Sequence, residues 1–484
     1  MAQRAAGEIP GTDIPLVVDV DGTFLRSDLL VEGGLTLLKA QPLRLLALTV
    51  AALRQGKAAL KAGVAAASGL DATALPVTAE LLAFLQQERA RGRKIYLASG
   101  ADHSHVAALC GHYDLFDGFF ASDGVVSLSG AAKAERLVQA FGAGGFDYAG
   151  NAAADLPVWA VARRVIVVNA SSSLRQAVRN RFADVMEIAP QRGLPGACLQ
   201  ALRPHQWVKN ALLFLPMLTA HAISLPGVLT LLVAFLSFGL VASAVYLIND
   251  MLDLQADRDH LRKRLRPLAS GAVPVLTAMG VVPFLLLAGG GLSLLVSGGF
   301  VALLALYFGL TLLYSLWLKQ KPIMDVMVLA GLYTLRVVAG GAAIAVAPSA
   351  WLLAFSIFLF LSLALVKRLA ELHGRRRNDL ADPVGRGYSL DDLPLLQGLA
   401  VAAGYAAVLV LALYVNSPTV TALYAVPQGL WLICGVLLYW ISRILLLTHR
   451  GEMHDDPVVF AIRDPVSLSV FALSVAIVLG CALR

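Results

Sequence analysis

The feature that most constrains this chain is a succession of long apolar runs after about residue 210, separated by loops that alternate between basic and uncharged. Nine stretches qualify as candidate spans, roughly 210–224, 227–249, 272–295, 300–318, 323–346, 350–366, 393–415, 427–447 and 466–483. A bilayer core of about 30 Å takes about 20 helical residues, so these runs read as transmembrane helices. The first run is short enough to be tilted or half-interfacial, which leaves eight spans as the alternative. Composition agrees, because 58% of the 484 residues are apolar and only 15% are charged.

The basic residues set the expected orientation. Arg203 and Lys209, the run Arg258 to Arg266, Lys319 and Lys321, Lys367 to Arg377 with Arg386, and Arg450 with Arg463 fall in alternate loops. The loops near 225, 297, 348 and 420 carry no Lys or Arg. Basic loops stay cytosolic, so a multi-pass protein of the inner (plasma) membrane with a cytoplasmic N-terminal part is expected. The formal charge of +7 is then a topology signal plus a phosphate-binding surface, and nucleic acid is not implied. Cys110, Cys198, Cys434 and Cys481 show neither metal spacing nor a disulfide framework. Met1 to Pro10 lack the apolar core of a signal peptide.

At the cytosolic end of the second run stands Asn249-Asp250-Met251-Leu252-Asp253-Leu254-Gln255-Ala256-Asp257, followed by Arg258, His260, Arg262, Lys263, Arg264 and Arg266. On a continuous helix Asp250, Asp253 and Asp257 share one face at i, i+3 and i+7. Unpaired anions beside a membrane are costly, so these carboxylates need cations. Mg²⁺ takes carboxylate oxygens and leaves room for phosphate oxygens, which makes a Mg²⁺-diphosphate site the economical reading. This pattern resembles the first aspartate-rich motif of the UbiA superfamily of membrane prenyltransferases.

The N-terminal part has a different signature. Ile14 to Val18 is a short apolar strand that ends in Asp19 and Asp21 and then the Gly22 turn. In α/β sheets the carboxyl ends of strands expose catalytic groups. The run resembles motif I of haloacid-dehalogenase-like (HAD) phosphatases, which implies Asp19 as the nucleophile and Asp21 as acid and base. Ser99, after the strand Lys94 to Ala98, matches the phosphoryl-binding motif II, and Lys133 matches the motif III cation. Asn151 and Asp155 resemble the metal-binding motif IV, with Asn151 where an acid is usual. Asn offers Mg²⁺ a carbonyl oxygen but no charge.

Helical periodicity over Leu29–Ala40, Pro42–Ala66 and Ala79–Arg91 resembles the cap that HAD enzymes place over the active site. The basic, amphipathic stretch from Leu43 to Lys61 suits cap packing, with membrane-surface contact as the other reading. Arg163 to Asn169 reads as a last strand, and Ser171 to Gly196 as a helix and linker. The expected organisation is a HAD-like α/β domain over 1–195, with its cap over about 28–90. An all-α membrane bundle of about nine helices follows over 196–484.

Further segments narrow the membrane part: Arg203 to Asn210, Tyr314 to Lys319, Lys321 to Asp325, Lys367 to Leu372 and His449 to Asp464. Together they resemble the decaprenyl-phosphate phosphoribosyltransferase branch of the UbiA superfamily. Aromatic prenyltransferases of that superfamily carry a second aspartate-rich motif where this chain has Lys367, Arg368 and Glu371. A cation pair suits phosphate.

The resemblance implies a polyprenyl phosphate acceptor, a phosphoribosyl diphosphate donor and a role in cell-envelope biosynthesis. Mg²⁺ would sit on Asp250, Asp253 and Asp257 with Asn249, and Lys209, Arg266, Lys367 and Arg368 would hold substrate phosphates. The HAD-like domain would remove the 5-phosphate of the product. Arg336 lies on one helical face with Asp325, so it either pairs with Asp325 or meets substrate. His449, Asp455 and Asp456 are either interface charges or site residues. An aromatic prenyltransferase with a polyprenyl diphosphate donor and a non-catalytic membrane scaffold are the rival readings. A homo-oligomer is compatible with either.

Overall fold

The structure, a computed structural model, describes residues 14–124, 127–188, 193–260, 262–377, 387–418, 420, 424–453 and 456–482. The chain divides into two compact units, one of Met1–Ala201 with Asp250–Gly280 and one of Leu202–Asn249 with Val281–Arg484.

The first unit is built on six parallel strands, β1 (Leu16–Val18), β2 (Ile95–Asp102), β3 (Gly118–Ser122), β4 (Asp147–Gly150), β5 (Val165–Val168) and β6 (Val185–Ile188). Their order is β3-β2-β1-β4-β5-β6. Sheets of this kind are covered on both faces, which is why Leu16, Val17 and Val18 are all fully buried and the strands read as unbroken apolar runs. The chain winds outward from β1 on one side through β2 and β3, and on the other through β4 to β6. That reversal opens a crevice beyond the carboxyl ends of β2, β1 and β4.

Inserted after β1 are α1 (Leu29–Ala40), α2 (Pro42–Gln55) and α3 (Lys57–Ser68), followed by α4 (Ala79–Ala90). The sequence predicts one helix over Pro42–Ala66, but the chain breaks at Gly56, whose φ of 87° lies where helices cannot continue. Another expectation fails at the far edge. The strand at Val165 is not the last, because β6 adds in register beyond it (Val165↔Val185, Val168↔Ile188). Asp184 and Glu187 made this short segment look like part of a linker.

Eight helices among the described residues are long and apolar enough to cross a membrane: Leu225–Leu252, Val275–Ser293, Gly298–Leu316, Met324–Ala343, Ala350–Arg377, Leu390–Val415, Pro427–His449 and Pro465–Ala482. The expected span at 210–224 is not among them. It is a 3₁₀ segment (Pro204–Phe214) and a five-residue helix (Leu215–Thr219). Pro204 and Pro216 each remove a backbone donor, and His221 takes a φ of 52°, so no long helix can form there. Packing fixes it instead. Trp207 donates to the Ser243 hydroxyl at 2.9 Å and lies where a Cβ on Gly239 would come within 2.7 Å of its ring.

Candidate functional site

In the first unit, the adjacent strands bring the predicted residues together. Asp19 follows β1, Ser99 lies within β2, and Asn151 follows β4, so all three stand at the crevice. Lys133 donates to Asp19 Oδ1 at 2.7 Å and to the Tyr148 hydroxyl at 2.9 Å. Its ammonium also lies 3.7 Å from Asp155. Lys133 is 4% exposed, and the attraction of Asp19 and Asp155 outweighs the burial that would lower its pKa. Thr23 donates to Asp19 Oδ2 at 3.2 Å. Gly22, with φ 75°, is required here because a Cβ would sit 2.1 Å from Asn151 Nδ2.

The two aspartates have different electrostatic surroundings. Burial pushes the Asp19 carboxyl up to about 6 against the pull of Lys133. Burial and the neighbouring Asp28 push Asp21 up to about 7, against a hydrogen bond from the Leu29 backbone N–H at 2.9 Å. A carboxyl poised near neutrality can give and take a proton. Asp155 is held differently: Oδ1 accepts from Tyr148 at 2.9 Å, and Oδ2 accepts from the Asn151 and Ala152 backbone N–H groups, each at 3.0 Å. It anchors the loop that presents Asn151. Ser99 is fully buried, and its hydroxyl accepts from the Ala101 N–H. From the insertion, Lys61 of α3 donates to the Gly100 carbonyl at 2.6 Å and joins Asp21, Asp102 and His105 around a small cavity.

The aspartate-rich segment also departs from expectation. The span ends at Leu252, Asp253 takes a turn conformation (φ −100°, ψ 11°), and a new short helix starts at Leu254. Asp250, Asp253 and Asp257 therefore do not share one continuous helical face. Arg266 bridges two of them, Asp250 at 3.1 Å and Asp257 at 2.5 Å. Burial raises the Asp257 pKa against the pull of Arg266. Asp253 instead pairs with Lys39, at the end of α1, at 3.1 Å. Arg258 grips the buried Glu32 of α1 through both terminal nitrogens, at 3.0 and 2.6 Å.

Among the described residues, no group of three or more His, Cys, Asp or Glu side chains is arranged to hold a metal. The donor chemistry of Asp250, Asp253 and Asp257 nevertheless fits a hard divalent cation. Arg266 and Lys39 already neutralise these oxygens, so a metal would have to displace them. Asn249 occupies the preceding position on the span.

A third cluster lies in the second unit. Asp456 Oδ2 accepts from Lys209 and from Lys367, each at 2.9 Å. Burial opposes ionisation of Asp456, yet the two ammoniums hold its carboxyl far below the ordinary range. Lys209 is 7% exposed, and its ammonium lies 5.3 Å from the centre of the Tyr333 ring. Lys367 is more open, with a side chain 41% exposed.

Arg368 takes no part in this cluster. It is fully buried and pairs with Asp325 at 2.8 Å and with Glu371. Asp325 also accepts from the Tyr314 hydroxyl at 2.8 Å, and the Arg336–Asp325 pair, one of the two readings of Arg336, does not form. Arg336 instead donates to Asn210 at 3.3 Å and to the Tyr307 hydroxyl at 3.1 Å, among the rings of Phe238, Tyr307 and Tyr333. His449 meets Gln397 at 3.1 Å, and Asp455 lies outside the described residues. The sequence reading passed over Tyr148, Lys61, Glu32 and Lys39. Only Glu32 carried a signal, as the one acid of a mostly apolar helix.

A model of the UbiA prenyltransferase family matches residues 211–474. An uncharacterized protein of Sinorhizobium fredii, y4nM, is 37% identical over 95% of this chain and 89% of its own length. Decaprenyl-phosphate phosphoribosyltransferase of Mycobacterium tuberculosis is 34% identical over 40% of this chain and 65% of its own length. A HAD family hydrolase of Salmonella enterica serovar Typhi aligns with 36% of this chain and 68% of its own, at 20% identity and a TM-score of 0.26.

Proposed function

Because the chain belongs to the UbiA prenyltransferase family and carries a HAD-like α/β unit in its N-terminal part, we propose that it transfers 5-phosphoribosyl from phosphoribosyl diphosphate to a polyprenyl phosphate and then removes the 5-phosphate. The observation that carries the transfer is the Lys209–Asp456–Lys367 cluster, two ammoniums on one carboxylate oxygen. One carboxylate cannot neutralise both, so the cluster attracts an anion. An allylic diphosphate with a neutral aromatic acceptor brings one anionic substrate, whereas the phosphoribosyl reading brings two, one for this cluster and one for the aspartate-rich segment. The relative from Mycobacterium tuberculosis is named for the same chemistry.

Lys209 and Lys367 hold the lipid phosphate, and Asp456 positions both. Arg266 and the neighbouring carboxylates receive the donor, with Asp250, Asp253 and Asp257 as the residues that would hold Mg²⁺. That ion, when bound, supplies charge neutralisation for the departing diphosphate. A lipid phosphate oxygen forms the new bond to ribose C1 as the C1–diphosphate bond breaks. The attacking oxygen is already anionic, so no protein base is required.

In the soluble unit, Asp19 attacks phosphorus and Asp21 gives its proton to the leaving alkoxide. Asp21 then takes a proton from the water that hydrolyses the aspartyl-phosphate. Lys133 keeps Asp19 anionic, and Asn151 and Asp155 belong to the proposed metal-binding side of this site. Both reactions take place at the cytosolic face of the inner membrane.

The test is incubation of the purified protein with radiolabelled phosphoribosyl diphosphate, a polyprenyl phosphate and Mg²⁺, followed by lipid extraction. Label in the organic phase is the expected result. Label that stays in water, with active relatives run alongside, would refute the transfer.

A further inference from the structure

We propose that α2 is an interfacial helix that lies on an anionic bilayer surface. It has no buried residue, although eleven of its fourteen residues are neither charged nor amide-bearing. Two faces account for this composition. Leu45, Leu48 and Ala52 point inward, and Leu48 lies against Gly63 of α3, where a Cβ would come within 2.7 Å. On another face Leu43, Leu46, Val50 and Leu53 are 81, 60, 57 and 84% exposed. They stand at i, i+3, i+7 and i+10, within about 80° of the helix circumference at 3.6 residues per turn. Large apolar side chains that line up in the open mark a contact surface rather than scattered exposure.

The occupant follows from position and charge. Lys39, in the last turn of α1, pairs with Asp253, the first residue after the Leu225–Leu252 span, and α2 begins three residues later at Pro42. The start of α2 thus follows closely on a residue whose partner adjoins that span in the chain. From Gly33 to Leu70 there is no acidic residue, whereas Arg44, Arg54 and Lys57 are all exposed. A basic helix with an apolar stripe matches the headgroup and upper acyl region of an anionic leaflet.

The test uses the full-length protein reconstituted in nanodiscs of phosphatidylcholine, with or without phosphatidylglycerol. Cys110→Ala and Cys198→Ala remove the half-buried thiols, while the buried Cys434 and Cys481 stay. Single cysteines then replace Leu43, Leu46, Val50, Leu53 and, as a polar reference, Gln55, each carrying a nitroxide. All five positions are exposed, so folding is preserved. The expected result is that oxygen collides with the four stripe labels more than a water-soluble nickel chelate does, with the order reversed at Gln55. The contrast grows when phosphatidylglycerol is included. Nickel access at every position would overturn the proposal, as would a contrast indifferent to anionic lipid. Dipolar coupling between labels on two copies of the chain would assign the stripe to a dimer contact and overturn it equally.

Discussion

The α/β unit and the helical unit each contain a charge cluster set largely out of water, and the two are built with opposite arithmetic. Around Lys133 one ammonium stands between two carboxylates, Asp19 and Asp155. Around Asp456 one carboxylate stands between two ammoniums, Lys209 and Lys367. The first carries surplus negative charge and can recruit a cation, with which a phosphate can then approach. The second carries surplus positive charge and can recruit an anion directly. Burial magnifies both, because a buried charge without a counter-ion is costly. The lesson is that the sign of the excess, rather than the presence of ion pairs, distinguishes a cluster that attracts cations from one that attracts anions.

The largest effects should come from the acids. Asp250→Asn or Asp253→Asn is expected to lower lipid transfer by about a thousandfold, on the order of 4 kcal/mol of transition-state stabilisation. Phosphate release by the α/β unit should be spared. Near-normal transfer in both variants would remove the aspartate-rich segment from the chemistry.

Asp19→Asn should have the reciprocal effect. It keeps the size of the side chain but not the nucleophilic charge, so transfer persists and the lipid product retains its 5-phosphate. Mass spectrometry of extracted lipids separates the two products by one phosphate. Identical products from both proteins would sever the two activities.

The cationic cluster should respond more moderately. Lys209→Ala and Lys367→Ala each remove one charged hydrogen-bond donor, worth about 1.5–3 kcal/mol. The KM for polyprenyl phosphate should rise by about tenfold to a hundredfold. An unchanged KM would disqualify the cluster as the phosphate site. Asp456→Asn leaves two ammoniums without their counter-ion, and the expected signature is a lowered melting temperature of the detergent-solubilised protein.

Acid should separate the units by stability. Burial alone would raise the Asp147 carboxyl, but hydrogen bonds from Arg163, at 2.8 Å, and from Arg93 hold it below the ordinary range. A depressed pKa contributes stability that is present above the unfolded value and lost as pH falls through the folded one. The loss therefore falls below about pH 4. Asp147→Asn should flatten the acid limb of unfolding of the full-length protein followed by circular dichroism. An identical acid limb in the variant would assign that limb to other groups.

The smallest effect belongs to Lys39. Its pair with Asp253 is partly exposed, 35% and 20%, and such pairs contribute about 0–1 kcal/mol. Lys39→Ala should lower the Mg²⁺ concentration needed for half-maximal transfer by at most about fivefold, because a competing cation is gone. A higher Mg²⁺ requirement would show that Lys39 helps the site rather than competes for it.

What the sequence determined is what depends on neighbours along the chain. Apolar run length specified the spans, short continuous apolar runs specified β1 and β2, and Asp19-Val20-Asp21-Gly22 specified a strand end with two acids on a turn. These features arise from side-chain periodicity and local backbone preference, so they can be read without knowing the fold. The break of the aspartate-rich helix at Asp253 was not legible, because it turns on packing that competes with local propensity. At 210–224 the prolines were legible, but the run of apolar residues outweighed them in the reading.

Only the tertiary structure decided the ion pairs. Lys209 finds Asp456 across 247 residues, and Arg258 finds Glu32 across 226. Arg336 and Asp325 lie on one helical face, about three turns apart, and each found a different partner, Asn210 and Tyr307 for one and Arg368 and Tyr314 for the other. A buried charge must be paired, but spacing along the chain does not say with which partner. That choice belongs to the packing of the helices, because a charge removed from water takes the partner whose geometry satisfies it.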